Sequence, residues 1–395
     1  MPLLTIEEPP RAPLRGFALW ALGFRPFYLL AAIDAALSVP LWALQVAGRL
    51  PHAYLRGPLW HAHEMLFGFT LAVIVGFLFT AVRQWTQRPT PTGKALAAIA
   101  ALWVAARVLV LTPYAWPAAA ANVAFPLAAA VAIGVPLVAS RNRRNQFFVA
   151  LLVLFAVAAG VFHLALMADA PALGRRAVGL ALDGVLFILA VMGGRVIPMF
   201  TNNGVPGANA RRQPVLERAS LGLVLAMLAL DAAGATGAPA AAVAAAAAVA
   251  HALRWLGWQP WKTGSKALVW SLHLAYAWLP VHLALRAFAE AGLVTTSAAT
   301  HALTVGAAGG LVIAMITRTA KGHTGRALRA DRLDTACYLL VFAAALVRVW
   351  LPAVAPAHTI AAILGSAFLW SAGFGLYAVG YFAPLTRPRQ DGKPG

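Results

Sequence analysis

The sequence predicts an all-α, polytopic integral membrane protein, and composition and hydropathy both support this prediction. Hydrophobic residues make up 61% of the 395 residues and charged residues only 11%, whereas soluble domains are about one quarter charged. Apolar runs of about 20 residues, long enough to cross a hydrocarbon core of about 30 Å, recur along the whole chain. We therefore expect a single transmembrane domain over residues 1–395, with the lipid bilayer as its surroundings.

Twelve apolar segments are predicted to be membrane-spanning helices. Turn-forming segments such as RPTPTG, NNGVPGANARRQP, TGAP and KGHTGR separate several of them. Spans 2, 6 and 10 run in the same direction and end in short polar segments, which suggests a three-fold repeat of four-helix units. The predicted spans lie at 24–47, 60–82, 95–112, 118–139, 146–168, 177–200, 215–234, 238–257, 267–289, 298–317, 333–351 and 357–384.

Basic residues predict the orientation of these spans. With both termini in the cytoplasm, the cytoplasmic segments hold 23 of the 31 lysines and arginines, and the opposite loops hold five. This bias follows the positive-inside rule for twelve spans. It also accounts for most of the net charge of +19, so nucleic acid is not an expected partner.

Histidines concentrate at the predicted outer ends of the spans. Neutral imidazole enters apolar surroundings and binds haem iron or copper, so this end is the candidate metal site. His273 lies in an inner half-span and His323 in a cytoplasmic loop, while the single cysteine, Cys337, excludes a disulfide framework and C-x-x-C-H haem attachment. The four histidines grouped at the outer end are His61, His63, His163 and His301.

The segment WHAHEMLFGF places three ionisable side chains at the outer end of span 2. Such groups are costly beside lipid, which favours a functional role over a simple helix–helix hydrogen bond. Residues two apart on a regular helix point about 200° away from each other, so His61 and His63 are not expected to bind the same metal ion. Glu64 is expected to orient the imidazole of His61, and either histidine could pair with His301.

Two glycine-containing segments predict special packing. In GGRVIPMFTNNG, Gly193 and Gly194 predict close helix approach, and Pro198 predicts a break or kink. Arg195 is expected either to bind an anionic group such as a haem propionate or to extend toward the inner headgroups. The segment GAAGGL at 306–311 predicts either a close-packing surface or room for a flat cofactor.

Five ordered segments resemble the NnrS family of bacterial membrane proteins, and the resemblance extends from residue 16 to the end of span 12. It implies an inner-membrane protein that binds haem and copper, takes nitric oxide as a ligand and protects against nitrosative stress. The segments are GFRPFYLLAA (23–32), WHAHEMLFGF (60–69), GGRVIPMFTNNG (193–204), LHLAYAW (272–278) and HALTVGAAGGLVIAMITRTAKGHTGR (301–326).

The resemblance, combined with position along the spans, gives a set of candidate site residues. It does not say which histidine binds which metal. Expected at the cofactor are His61, His63, His301 and Arg195. Expected as metal ligands are His61, His63, His163, His301 and His273, with Glu64, Arg25 and His323 in support.

Two other functions account for parts of the sequence. The sequence does not establish whether the protein is an enzyme. A secondary transporter of a small solute would explain the twelve spans and the carboxylates Asp34, Asp183 and Asp231. A divergent haem–copper oxidase or nitric oxide reductase would explain the three-fold pattern. Those enzymes take copper ligands from spans 6 and 7, however, and here no histidine lies between His163 and His251.

Overall fold

The computed structural model describes residues 16–46, 48–49 and 54–392, and within these residues the chain is helical and contains no strand. The predicted cytoplasmic N-terminal segment 1–15 lies outside the described residues. Twelve helical segments correspond in order to the twelve predicted spans. They are α1 Phe24–Val46, α2 Gly57–Thr86, α3 Gly93–Leu109, α4 Ala115–Ala139, α5 Phe147–Met167, α6 Pro171–Gly204, α7 Pro214–Ala233, α8 Ala238–Leu256, α9 Ala267–Glu290, α10 Thr296–His323, α11 Arg332–Val354 and α12 Thr359–Thr386.

Ten of these described segments are long and apolar enough to cross a membrane, and α3 and α7 are not among them. Helix α3 has 17 residues, which gives a length of about 25 Å. Helix α7 carries Glu217, Arg218 and Asp231. The prediction of an all-α, polytopic membrane protein is confirmed.

Helices that follow one another in the chain pack together, and α12 packs against α1. Helix α6 contacts both α2 and α10. In the most apolar stretches of α2 and α10, 78% and 72% of the residues are buried, the two highest values among the ten apolar segments. These two helices therefore form much of the protein interior, where a buried site would be built.

Both interior helices contain a π-helical segment that begins directly after a histidine. In α2 the segment Glu64–Thr70 follows His63, and in α10 the segment Ala302–Gly309 follows His301. A π-helical turn inserts an extra residue into the α-helical repeat and occurs frequently at functional sites. The two segments change the direction of the side chains beside these histidines.

Glycines in α6 and α10 allow close helix packing, as the sequence predicted. A Cβ atom on Gly193 would lie 2.7 Å from Tyr276 Cε2, and one on Gly310 would lie 2.7 Å from Phe342 Cε1. The indole rings of Trp278 and Trp370 fill the space beside the other two glycines of GAAGGL. This segment is therefore a close-packing surface. Helix α6 continues through its proline to Gly204 instead of breaking there.

Arg25 connects α1 to the end of α12. Its side chain is fully buried, and Nη1 donates to the carbonyl oxygens of Leu385 at 3.1 Å and Arg387 at 2.8 Å. The last carbonyls of a helix have no partner within the helix, so a buried guanidinium stabilises them. The contact gives Arg25 a structural role at this end of the bundle.

We expect Gly193→Ala to lower the free energy of unfolding by about 1–3 kcal/mol, because the ring of Tyr276 must move to accept a methyl group. The matched control is Gly179→Ala in the same helix, where a Cβ atom meets nothing within 4 Å. That substitution should leave stability unchanged or raise it, because alanine is the better helix former. Thermal unfolding in detergent checks both variants, and equal midpoints for the two would contradict the packing argument.

Candidate functional site

A cavity of about 430 Å³ lies between the helices at the end of the bundle where α2 and α10 begin. We call this end, where His61, His63, His163 and His301 lie, the histidine end. Apolar side chains form most of the cavity wall, as is usual for small-molecule sites. The polar lining residues are His61, Thr70, Ser297, Thr300, His301, Thr304, Arg348 and Ser366.

Two histidines from different helices reach this cavity. His301 Nδ1 lies 2.7 Å from the carbonyl oxygen of Ser297. Because a carbonyl only accepts, this nitrogen carries the proton and Nε2 keeps its lone pair. The ring of His61 packs against Trp42 with centroids 5.1 Å apart, and its buried Nδ1 has no hydrogen-bond partner among the described residues. Both imidazoles are therefore available to a ligand in the cavity.

Arg348 supplies the permanent positive charge of the cavity wall. Its Nη2 donates to Ser297 Oγ at 3.2 Å, so it lies beside the residue that orients His301. The sequence analysis gave this residue no role. An arginine near the outer end of an apolar span was the available signal, but the neighbouring helix that makes it part of a cavity is not visible in the sequence.

A second group of polar side chains surrounds a buried histidine pair, which we define as His63 and His163. Both residues are fully buried, and their Nε2 atoms lie 3.2 Å apart. The other ring nitrogens also have partners: His63 Nδ1 contacts Glu64 Oε1 at 2.7 Å, and His163 Nδ1 is hydrogen-bonded to the hydroxyl of Tyr54. Each ring is thus held by a contact at its Nδ1 atom, and the two Nε2 atoms face each other.

Glu64 contacts the buried histidine pair. The prediction that it orients the imidazole of His61 is therefore wrong. Its carboxylate contacts Arg107 Nη1 at 2.6 Å as well as His63. The backbone at Glu64 is still α-helical, and the contact with Arg107 of α3 holds its carboxylate beside His63. Arg107 in turn donates to Asn122, which connects α3, α2 and α4.

Besides Arg25, three of the expected site residues lie away from the histidine end. Arg195 donates to Asn145 Oδ1 at 2.8 Å, just before α5 begins. His163 lies 18 residues further along the chain, which corresponds to about 27 Å of helix. His273 bonds to the hydroxyl of Thr201 at 2.7 Å near the end of α6, and His323 is the last residue of α10. The structure therefore brings these three to the opposite end of the bundle.

The carboxylates considered for transport are placed beside arginines. Asp183 Oδ1 lies 3.6 Å from Arg286 Nη1, and Asp231 also pairs with Arg286. Asp34 lies near Arg107, since Asp34 Oδ2 and Arg107 Nη1 would each be 2.8 Å from a Cβ atom added to Gly68. In the described part of the chain, no group of three or more His, Cys, Asp or Glu side chains is arranged to hold a metal ion.

The fold and the site define a polytopic α-helical membrane protein that has a histidine-lined cavity and a buried histidine pair at one end of the bundle. The chain belongs to the NnrS family, because the family model described as NnrS protein matches residues 18–389. This match confirms the resemblance carried by the five segments. Comparison with curated proteins gives no match.

We expect Arg107→Met to destabilise the protein by about 3–5 kcal/mol, because it leaves the Glu64 carboxylate buried without its cation. A matched control is Arg212→Met, which removes the 46% exposed partner of Glu217. Exposed ion pairs contribute about 0–1 kcal/mol, so this variant should unfold nearly like the wild type. Thermal unfolding in detergent measures both, and comparable losses would argue against a special role for the Arg107–Glu64 pair.

Proposed function

We propose that this chain is a haem- and copper-binding protein of the bacterial inner membrane that acts in the nitric oxide response and protects against nitrosative stress. Membership of the NnrS family supports the nitric oxide response. The observation that carries the haem proposal is that His61 of α2 and His301 of α10 line the same cavity. Nitric oxide is small and uncharged, so it can reach such a site through the bilayer without a polar channel.

The residues around the cavity fit a haem, whose iron His61 and His301 would hold. Iron in haem proteins accepts imidazole nitrogen, and a ligating histidine usually donates its other N–H to a carbonyl or carboxylate. His301 makes this contact with the Ser297 carbonyl. His61 lies against the indole of Trp42, and its Nδ1 has no hydrogen-bond partner among the described residues. Bound haem would supply a redox-active iron centre.

Arg348 would hold the anionic side of the cofactor. Haem carries two carboxylates, and an arginine in a largely apolar cavity interacts strongly with a carboxylate because the effective dielectric constant is low. Ser297 links this guanidinium to the histidine of α10. We therefore assign to Arg348 the role that the sequence analysis considered for Arg195, which lies at the other end of the bundle.

The membrane topology is part of the same proposal. A single transmembrane domain of twelve spans would have both termini in the cytoplasm and the histidine end outside, with a three-fold repeat of four helices. Helix α3 would be a minimal span, since about 17 residues are sufficient. The two carboxylates of α7 are paired within the bundle, Glu217 with Arg254 at 2.7 Å and Asp231 with Arg286, and Arg218 donates to the carbonyl oxygen of Pro214 at 3.3 Å. Paired charges are tolerated in membrane helices, so α7 also fits a span.

We expect His61→Ala and His301→Ala each to abolish or strongly reduce haem binding, because each removes one of the two imidazoles in the cavity. The control is His358→Ala, an exposed histidine beside α12. It should retain the absorption spectrum and iron content of the wild type. Each variant is purified in detergent from haem-supplied cells, and its Soret absorbance and iron content are measured per chain.

Normal iron content in both cavity variants would contradict the haem site. A wild-type protein without haem, after haem supply has been verified, would contradict the haem proposal as a whole. Membrane insertion of every variant is checked by its recovery in the membrane fraction, so that loss of haem is separated from loss of protein.

We expect Arg348→Leu to weaken haem binding by about 10–100-fold, because a charge-assisted hydrogen bond contributes about 1.5–3 kcal/mol. Arg348→Lys keeps the positive charge and should bind more tightly than the leucine variant. Titration of the haem-free protein with hemin gives the dissociation constants. Equal constants for the wild type and Arg348→Leu would show that Arg348 does not hold the cofactor.

A further inference from the structure

The buried histidine pair is a second candidate site, separate from the cavity. His63 belongs to α2 and His163 to α5, and neither lines the cavity that contains His61 and His301. Their Nε2 atoms lie 3.2 Å apart in surroundings from which solvent is excluded. The arrangement therefore needs an explanation other than the haem proposal.

The separation of the two nitrogens fits two ligands of one metal ion. Two imidazole nitrogens that each bind one metal ion at about 2.0–2.1 Å can lie about 3.3–3.4 Å apart. The observed 3.2 Å differs from this by a small movement of either ring. The competing explanation is a shared proton, in which one Nε2–H donates to the other Nε2.

The partners of the two Nδ1 atoms suit metal binding. Glu64 accepts from His63, and the hydroxyl of Tyr54 accepts from His163 when both Nδ1 atoms carry protons. Both Nε2 lone pairs then point into the gap between the rings. Carboxylate and hydroxyl partners of this kind orient metal-binding histidines and fix their tautomers.

We infer that His63 and His163 bind one copper ion and that Glu64 and Tyr54 are positioning residues for the two imidazoles. Imidazole is a nitrogen ligand that suits copper. Zinc sites use three or four protein ligands, and the described residues offer no such group. The inference rests on the copper content proposed above and assigns it to particular residues.

The test measures copper bound to the purified, haem-loaded protein after anaerobic incubation with cuprous copper and removal of weakly bound metal. We expect about one copper ion per wild-type chain and at least a tenfold loss in His63→Ala and His163→Ala, with haem content unchanged. His251→Ala is the matched control, since His251 is also buried and bonded to a tyrosine hydroxyl, at 2.7 Å from Tyr276. No imidazole faces His251 in the described structure, so the His251→Ala variant should bind as much copper as the wild type.

The positioning residues need a measurement that a purely structural role would not change. We expect Tyr54→Phe and Glu64→Gln to weaken cuprous copper binding by about 10–100-fold in competition with a chelator, as is usual for partners of metal-binding histidines. X-ray absorption at the copper edge should show two nitrogen ligands in the wild type. In His163→Ala that two-nitrogen signal should be lost.

The outcomes separate this inference from the proposed function. Copper retained in both histidine variants, or a wild type that holds haem but takes up no copper, overturns the inference and leaves the haem proposal standing. In the second case the pair shares a proton. A wild type that binds neither haem nor copper overturns both.

Discussion

The contact between Arg107 and Glu64 determines which of the two histidines of α2 has a carboxylate partner. A buried carboxylate requires a cation, and Arg107 supplies it from α3 at 2.6 Å. Glu64 is thereby held against His63, whose other nitrogen faces His163 on α5. His61, on another face of the same helical turn, is left to line the cavity. One ion pair thus holds Glu64 at the buried histidine pair and away from the cavity.

Local patterns were sufficient for the helices and for the end of the bundle where the site lies. Apolar length and turn residues gave the helical segments, because a helix in lipid must satisfy its own backbone hydrogen bonds. Position along the spans brought His61, His63, His163 and His301 together. The contacts of Glu64 could not be obtained in this way, since they depend on Arg107 of another helix. Tyr54 and Arg348 act across the bundle, which no local pattern shows.

Sequence motifs also combined residues that the fold separates. The segment that begins with His301 ends beyond His323, 22 residues later, and that length of helix covers about 33 Å. His301 lines the cavity, whereas His323 packs against Phe24 with ring centroids 5.4 Å apart at the other end. Arg195 similarly lies beside Asn145. Residues of one motif on a membrane-spanning helix can therefore serve opposite surfaces of the protein.

Taken together, the haem proposal and the copper inference would have one rigid helix supply a ligand to each of two metal centres. His61 and His63 are separated by a single residue within the regular helical segment Gly57–His63. Their directions are therefore set by helical geometry, which turns the chain by about 200° over two residues. The distance between the two centres would then be fixed by α2 itself and not by a loop. Such rigidity favours a constant separation between two redox-active metals, and the π-helical segment immediately after His63 confines the change in direction to residues beyond both ligands.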